Sequence, residues 1–219
     1  QVVVFFAGLA LGLALGAFGR SRRTEPKRPS RRLSHGGLNG EISVEAEENV
    51  SAEVLDHALS FVPFTDWLRK LRHHRNSFDL RHVTVQSVDF FGRNKIGFVK
   101  LKSEIYDRDG DPLAGICFLR GGSVAVLVIL QSEETGKEYC LQVRIDNVCT
   151  VQPQYMAIPA GMLDGNGDFA GAMAREMEEE TGIRCDAKSL VDMTARVYGD
   201  AFEGMYPSVC ACDEFIRLF

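Results

Sequence analysis

Residues 161–183 read GMLDGNGDFAGAMAREMEEETGI, and the second half of this stretch is strongly acidic. On a helix, residues three and four positions apart share a face, so Glu176, Glu179 and Glu180 are predicted to converge while Glu178 points elsewhere. Converging carboxylates repel one another, and a hard divalent cation with oxygen ligands, usually Mg2+, relieves that repulsion. The stretch therefore predicts a metal-binding helix, and the simpler alternative is a solvated acidic helix with an Arg175–Glu179 pair.

The spacing of this stretch resembles the Nudix box, G-x5-E-x7-R-E-U-x-E-E-x-G-U with U aliphatic. The residues in register are Gly161, Arg175, Glu176, Met177, Glu179, Glu180, Gly182 and Ile183. One position departs from the pattern, because its first Glu falls on Gly167, with Asp168 beside it.

Residues 79–219 as a whole resemble the ADP-ribose and ADP-sugar diphosphatase branch of the Nudix hydrolases. The nearest form is the plant-type plastid ADP-sugar diphosphatase. The supporting segments are residues 122–130, 142–144 (QVR), 158–164 (IPAGMLD), 206–208 (YPS) and 212–214 (CDE). Membership would imply an α/β fold of the α+β kind: a Nudix α/β/α sandwich with a mixed sheet, preceded by an N-terminal antiparallel strand extension. It would also imply a homodimer.

The same resemblance implies the site residues. Glu176, Glu179 and Glu180 would be catalytic and, with the backbone carbonyl of Ala160, would bind Mg2+, for which Mn2+ could substitute. Glu179 would either share a second metal or orient Arg175. Arg144, Gly161 and Glu214 would contact the substrate, although Arg144 could equally be a surface strand residue and Glu214 a plain exposed carboxylate.

The implied reaction is Mg2+-dependent hydrolysis of the diphosphate bond of a nucleoside diphosphate sugar, of the ADP-glucose or ADP-ribose type, to a nucleoside monophosphate and a sugar phosphate. The alternative is a catalytically weakened Nudix-fold module that binds a nucleotide or a partner. Three features motivate this alternative: Gly167, Ala157, which stands where the branch commonly has Glu, and the expected absence of the C-terminal part of the fold. The branch also has Pro-Gly-Gly where residues 209–211 read VCA. The family's loop bearing a proposed general base is expected beyond Phe219, so the sequence predicts a fragment in which the C-terminal part of the fold is missing and turnover is poor.

The charge distribution bears on the partners. The formal net charge is −5, but residues 20–32 hold seven basic residues against Glu25 alone, which leaves 18 basic and 29 acidic residues, a net charge of −11, for the remainder. Nucleic-acid binding relies on clustered Lys and Arg, so an acidic body argues against a general nucleic-acid binder. A nucleotide-sugar substrate remains compatible, because a metal ion reconciles an acidic site with an anionic ligand.

The N-terminal residues have the composition of a presequence. Residues 2–18 are uncharged and apolar, at the short edge of what spans a bilayer, and the tract to residue 40 is rich in Arg, Ser, Pro and Gly. This two-part pattern predicts plastid targeting and no stable membrane association after removal; the rival interpretation is a membrane-anchored protein. The chain begins with Gln1 rather than Met, which also suggests a fragment.

Four regions are predicted: a signal and transit-like presequence (residues 1–40), a linker with short helices (41–78), the strand extension (79–120) and the Nudix domain (121–219). Within them, residues 41–49 are expected to be an unpacked acidic linker, and helices are expected after Ser51 and over residues 65–73. Strands are expected from Arg81, over residues 95–106 and over the apolar run 123–130, with residues 139–145 as its hairpin partner and 191–198 as a last strand. The six cysteines lack the spacing of a zinc site or a disulfide scaffold, so free thiols are expected, with a redox or metal role for Cys210-x-Cys212 as the alternative.

Overall fold

The computed structural model describes residues 28–36, 39–163 and 168–219. The predicted apolar signal, residues 2–18, and Gly167 lie outside these ranges. Within them, no helix has the length and apolar character needed to cross a bilayer.

The first half of the described chain is a five-stranded sheet with two helices on one face. Its strands, in spatial order, are β1 (Ser30–Gly36), β2 (Asn39–Ala46), β3 (Phe78–Phe91), β4 (Lys95–Asp107) and β5 (Ile116–Leu119). The helices α1 (Ala52–Ser60) and α2 (Val62–His73) lie between β2 and β3 in the chain. They form a crossover, so β2 pairs with β3 in parallel, while the other neighbours are antiparallel. Within the predicted bounds of the extension, residues 79–120, the strands β3, β4 and β5 pair antiparallel as expected, whereas the parallel pairing with β2 was not predicted.

Both predicted helices are present. Ser51 is the N-cap of α1, and its hydroxyl accepts a hydrogen bond of 3.2 Å from Val54 N. Helix α2 begins at Val62, before the predicted start at Thr65, with a proline in its first turn. The two helices bury Leu55 and Phe64 against alternate residues of β3 and β4, including Val85 and Leu101.

The prediction of an unpacked linker at residues 41–49 is wrong. Ile42, Val44 and Ala46 of β2 are buried in the core, whereas Glu41 and Glu45 point the other way. A period of two buries three apolar side chains here despite the acidic composition. Strand β1 pairs with β2 along its length and begins before residue 40, where the presequence was predicted to end. The division at residue 40 stays a prediction.

The second half of the described chain is a small three-layered unit. Its central sheet has the order β11 (Ala160–Met162), β6 (Ser123–Ala125) and β12 (Ile216–Leu218), with β11 antiparallel and β12 parallel to β6. Helix α3 (Phe169–Thr181) packs Met173 on the Val124 face, and α4 (Met193–Tyr198) contacts β12. The elements that follow β6 in the chain are β7 (Ile129–Gln131), β8 (Glu138–Cys140), β9 (Val143–Asn147) and β10 (Gln152–Ala157). A 3-10 turn at Ala187–Ser189 follows α3.

Successive residues of the central sheet face opposite layers, as the pleat requires. Val124 and Gly161 face α3, whereas Ala125 and Leu218 line a cavity shared with α4. The expected α/β/α sandwich with a mixed sheet is confirmed in this arrangement of helix, sheet and helix.

Three strand predictions needed correction. The apolar run 123–130 is not one continuous covered strand, because regular pairing ends at Ala125 and Ile129 and Leu130 are exposed in a separate hairpin. Residues 139–145 do not form one partner strand: β8 pairs with β7, whereas β9 pairs with β10. Residues 191–198 contain helix α4 rather than a strand, since Asp192 caps it by accepting a 2.7 Å hydrogen bond from Ala195 N.

Candidate active site

Helix α3 has the ends that its sequence predicts. Asp168 is the N-cap, and its carboxylate accepts a 2.9 Å hydrogen bond from Gly171 N. Gly182 is the C-cap in the left-handed conformation, with φ of 73°. Met173 and Met177 are buried toward β6, and two of the acidic residues of the helix, Glu176 and Glu180, lie toward β11.

Two of these acidic residues lie against consecutive residues of β11. The carboxylate of Glu176 lies over Gly161 so closely that a Cβ on Gly161 would be 1.9 Å from Glu176 Cδ. Glu180 Oε2 accepts a hydrogen bond of 3.2 Å from Ala160 N. Glycine is therefore required sterically at position 161 for Glu176 to occupy this position.

The pairing register of β11 determines where the Ala160 carbonyl points. Val126 N donates to Pro159 O at 3.0 Å and Leu163 N donates to Gly122 O at 3.0 Å, so these residues hydrogen-bond across to β6. In an antiparallel pair such residues alternate with ones whose N–H and C=O point outward, and Ala160 belongs to the outward set. The Ala160 carbonyl therefore lies on the same outer edge as the N–H that Glu180 binds.

These groups fit a divalent cation. Two carboxylates and one outward backbone carbonyl are the hard oxygen donors that Mg2+ prefers, and waters complete its shell. No cluster of three or more His, Cys, Asp or Glu side chains suited to a metal occurs within residues 28–36, 39–163 and 168–219. Because the Ala160 carbonyl is one of the oxygen donors, two carboxylate side chains are enough to bind the cation here.

The other acidic residues of α3 are less closely engaged. Glu179 is exposed, and Glu178 is hydrogen-bonded to Arg184 at 2.6 Å on the outer surface. Glu178 thus points elsewhere, as the helical spacing predicts.

A cavity of about 670 Å3 lies between the central sheet and α4. Ala160, Gly161 and Glu214 line it, so the structure brings these three predicted site residues to one place. Most of the other lining side chains are apolar, among them Ile158, Met193 and Leu218. Ala157, which replaces the carboxylate expected from the resemblance, also lines this cavity.

Arg120 is a candidate site residue that the sequence analysis missed. Its guanidinium lies 3.3 Å from Glu214 Oε1, 2.9 Å from Met162 Sδ and over the Phe98 ring at 5.4 Å. Its Nε is buried and makes no hydrogen bond, so this cation has donor capacity left over. The available signal was an arginine directly before Gly121-Gly122, at the start of the apolar run.

Arg120 also lines a second cavity, of about 590 Å3, between α2, the β3–β4 turn and the central sheet. This cavity holds the aromatic residues Trp67, Phe91 and Phe215 together with Lys70. Phe91 is half exposed and its ring lies on Gly97, where a Cβ would come within 2.7 Å of the ring. Since Arg120 and Met162 line both cavities, the two compartments adjoin.

Arg144 lies elsewhere. It is exposed in β9, opposite Met156 of β10, and it lines neither of the two cavities. A role in substrate binding stays a prediction for this residue.

All six cysteines are free thiols, as expected. Burial raises the pKa of Cys212, and likewise that of Cys117, so both thiols are less readily ionised than an exposed cysteine. A raised pKa disfavours the redox alternative for Cys212.

Residues 121–219 match the family model of the NUDIX domain. The Nudix stretch therefore includes β6, β11, α3 and β12, the elements that carry the candidate site.

The chain is also similar to the chloroplastic Nudix hydrolase 14 of Arabidopsis thaliana. The two are 37% identical over 191 residues, which is 83% of this chain and 60% of that protein. This chain thus spans 60% of the length of that relative. The family match thus lies in the second half of the chain, whereas the similarity to the Arabidopsis protein extends over most of the chain.

Proposed function

We propose that this protein hydrolyses the diphosphate bond of a nucleoside diphosphate sugar, of the ADP-glucose or ADP-ribose type, in a Mg2+-dependent reaction. The products are a nucleoside monophosphate and a sugar phosphate. The observation that carries the proposal is the placement of Glu176 and Glu180 against Gly161 and Ala160 at the outer edge of β11. The similarity to a Nudix hydrolase supports hydrolysis of a nucleoside diphosphate derivative.

Glu176, Glu180 and the Ala160 carbonyl would hold the metal, with Glu179 as a further carboxylate on the exposed side. A divalent ion bound there would supply charge neutralisation at the phosphoryl group and would lower the pKa of a bound water. Glu180 also accepts the Ala160 N–H, which keeps strand and helix in register. Gly161 leaves room for the Glu176 carboxylate and for close approach of a phosphate to the backbone.

Arg120 is the side chain best placed to bind the diphosphate. Its planar guanidinium suits bidentate contact with phosphate oxygens, and it already has a carboxylate partner in Glu214. An arriving phosphate would compete with Glu214 for the guanidinium. The adjoining aromatic cavity would then take the part of the substrate on one side of the diphosphate, by stacking on Phe91 or Trp67.

Location and assembly follow the same proposal. The plastid is the compartment that the two-part N-terminal composition predicts, and the Arabidopsis relative is named chloroplastic. A homodimer is proposed from the family resemblance.

The decisive experiment is a hydrolysis assay on the full chain with ADP-glucose, ADP-ribose and UDP-glucose, with and without Mg2+. Glu180→Gln should lower the rate by several orders of magnitude while the fold stays intact. Glu178→Gln is the matched control, because Glu178 is on the same helix but binds Arg184. Equal rates for Glu180→Gln and wild type would refute the proposal.

A binding module is the second candidate, and Ala157 favours it. This residue places a methyl group in the cavity wall where the family resemblance implies a carboxylate. Such a module would bind ADP-glucose without turnover, with equal affinity in wild type and Glu180→Gln. Calorimetric titration in the same buffers separates the two candidates.

A further inference from the structure

The junction between β5 and β6 runs through Arg120, Gly121 and Gly122, and its path is tightly restricted. Gly121 has φ of +85°, and a Cβ there would lie 2.9 Å from Pro63 Cγ. A Cβ on Gly122 would lie 2.2 Å from Phe215 Cζ. Other residues would be strained at Gly121 and would collide with the aromatic ring at Gly122.

The carboxylate of Asp213 receives the backbone N–H groups of this junction. Arg120 N donates to Asp213 Oδ1 at 2.8 Å, and Gly121 N donates to Oδ1 at 3.2 Å and to Oδ2 at 3.3 Å. Consecutive N–H groups converging on one anion form a concave backbone site of the kind that binds phosphates and carboxylates. Here the anion is supplied by the chain itself.

The loop that carries Asp213 is attached to the same strand. Phe118 N donates to Ala211 O at 2.8 Å, and Asp213 N donates to Phe118 O at 3.2 Å, so the loop continues the edge of β5. Glu214, the next residue, binds the Arg120 guanidinium. Asp213 therefore binds the backbone of Arg120, while its neighbour contacts the side chain.

Neither side-chain contact fixes the guanidinium by itself. The distance to Glu214 is long for a charged hydrogen bond, Met162 Sδ is a weak acceptor, and Nε is unsatisfied. The position of the Arg120 Cα, and thus the direction of its side chain between the two cavities, depends on the backbone bonds to Asp213.

We propose that Asp213 is a positioning residue, which directs Arg120 toward the substrate diphosphate by binding the Arg120 and Gly121 backbone N–H groups. The inference rests on the proposed function in one respect, that Arg120 contacts the diphosphate. It adds a residue whose own side chain points at the backbone and not at the ligand.

The test is a double-mutant cycle on the full chain with Asp213→Ala, Arg120→Ala and the double variant. The readouts are the KM and kcat of ADP-glucose hydrolysis and, independently of turnover, calorimetric affinity for ADP-glucose. Asp213→Ala should weaken affinity and raise KM by about tenfold with little change in kcat. This is the size of effect expected when one charge-assisted bond, that between Arg120 and the diphosphate, is lost. In the Arg120→Ala background, Asp213→Ala should change neither the affinity for ADP-glucose nor the KM.

Two further variants keep the outcome interpretable. Asp213→Asn retains an oxygen that accepts both N–H groups, so it should restore affinity to within about threefold of wild type. Asp186→Ala removes a carboxylate that accepts Lys188 N at 3.0 Å and lines neither cavity, so it should leave affinity unchanged.

An equal loss from Asp213→Ala with and without Arg120 would overturn the inference and show a merely structural role. Wild-type affinity for ADP-glucose without hydrolysis would refute the proposed function but leave the cycle decisive through binding. A wild-type chain with no affinity for ADP-glucose would overturn both.

Discussion

At the scale of single residues, the candidate site depends on a glycine, Gly161, which has no side chain. Glu176 occupies space that any Cβ on residue 161 would fill. The sequence pattern contains this glycine, but its spacing gives no reason for it. The reason appears only when α3 lies across β11.

Gly161→Ala should therefore displace Glu176 and lower affinity for Mg2+ and the hydrolysis rate by about 10- to 100-fold, a range typical of disturbed metal-site support. Calorimetric titration with Mg2+ or Mn2+ measures the first effect and the ADP-glucose assay the second. Ala174→Gly, a change elsewhere on α3, is a control for general loosening of the helix. Unchanged metal affinity in Gly161→Ala would contradict the proposed role of Glu176.

The pKa of Asp213 gives a prediction on pH. Burial is the largest influence and raises the pKa above the ordinary value of 3.8, while hydrogen bonds from Arg120 N and Gly121 N oppose the shift. A raised folded-state pKa means that the native state binds the proton more tightly, so its contribution to stability is complete below pH 3.8 and is lost as pH rises through the folded pKa.

Relative to Asp213→Asn, which does not titrate, the wild-type free energy of unfolding should thus decrease as pH rises from below 3.8. Urea unfolding of both proteins across this range measures the difference. A difference that is constant with pH, or that grows in favour of wild type, would show that burial does not dominate at Asp213.

At the scale of elements, local signals identified the helices better than the strands. The caps at Ser51, Asp168 and Gly182 are read directly from residue type, because capping is a contact within one turn. Strands β6 and β7 come from one apolar run, which hydrogen-bonds to Pro159 and Phe219 just after β6 and pairs with β8 only from Ile129. Such partners are distant in sequence, so periodicity does not contain them.

The last predicted strand is a helix in the structure. Residues 191–198 read VDMTARVY, in which Val and Tyr favour a strand. Asp192 overrides this tendency because it caps α4 and also binds Arg217 of β12, at 2.8 Å to Nε. Asp192 thus both begins the helix and joins it to β12 through an ion pair.

At the scale of the whole molecule, the described chain has two hydrophobic cores. One lies between α1, α2 and the five-stranded sheet, and the other lies between α3 and the central sheet. Arg120 belongs to neither core. The two cavities that it lines also lie outside the cores, between the surrounding helices and strands.

Leu101→Ala in the first core should cost about 2–5 kcal/mol, and Met177→Ala in the second a similar amount. Because the clusters share no buried residue, each change should raise amide hydrogen exchange mainly in its own half, residues 42–119 or 124–219. Hydrogen exchange followed by mass spectrometry measures this. A uniform increase over both halves after either change would show one cooperative unit.

The sequence by itself determined the acidic helix and its two ends, because these depend on residues within a few turns of one another. It also pointed to the Pro-Ala-Gly strand that faces them, through its resemblance to a known pattern. Only the tertiary structure decided that Ala160 turns its carbonyl outward, that Arg120 lies between two cavities, and that Asp213 holds the backbone of Arg120. Those facts depend on strand register and on contacts between residues some ninety positions apart, which no local pattern records.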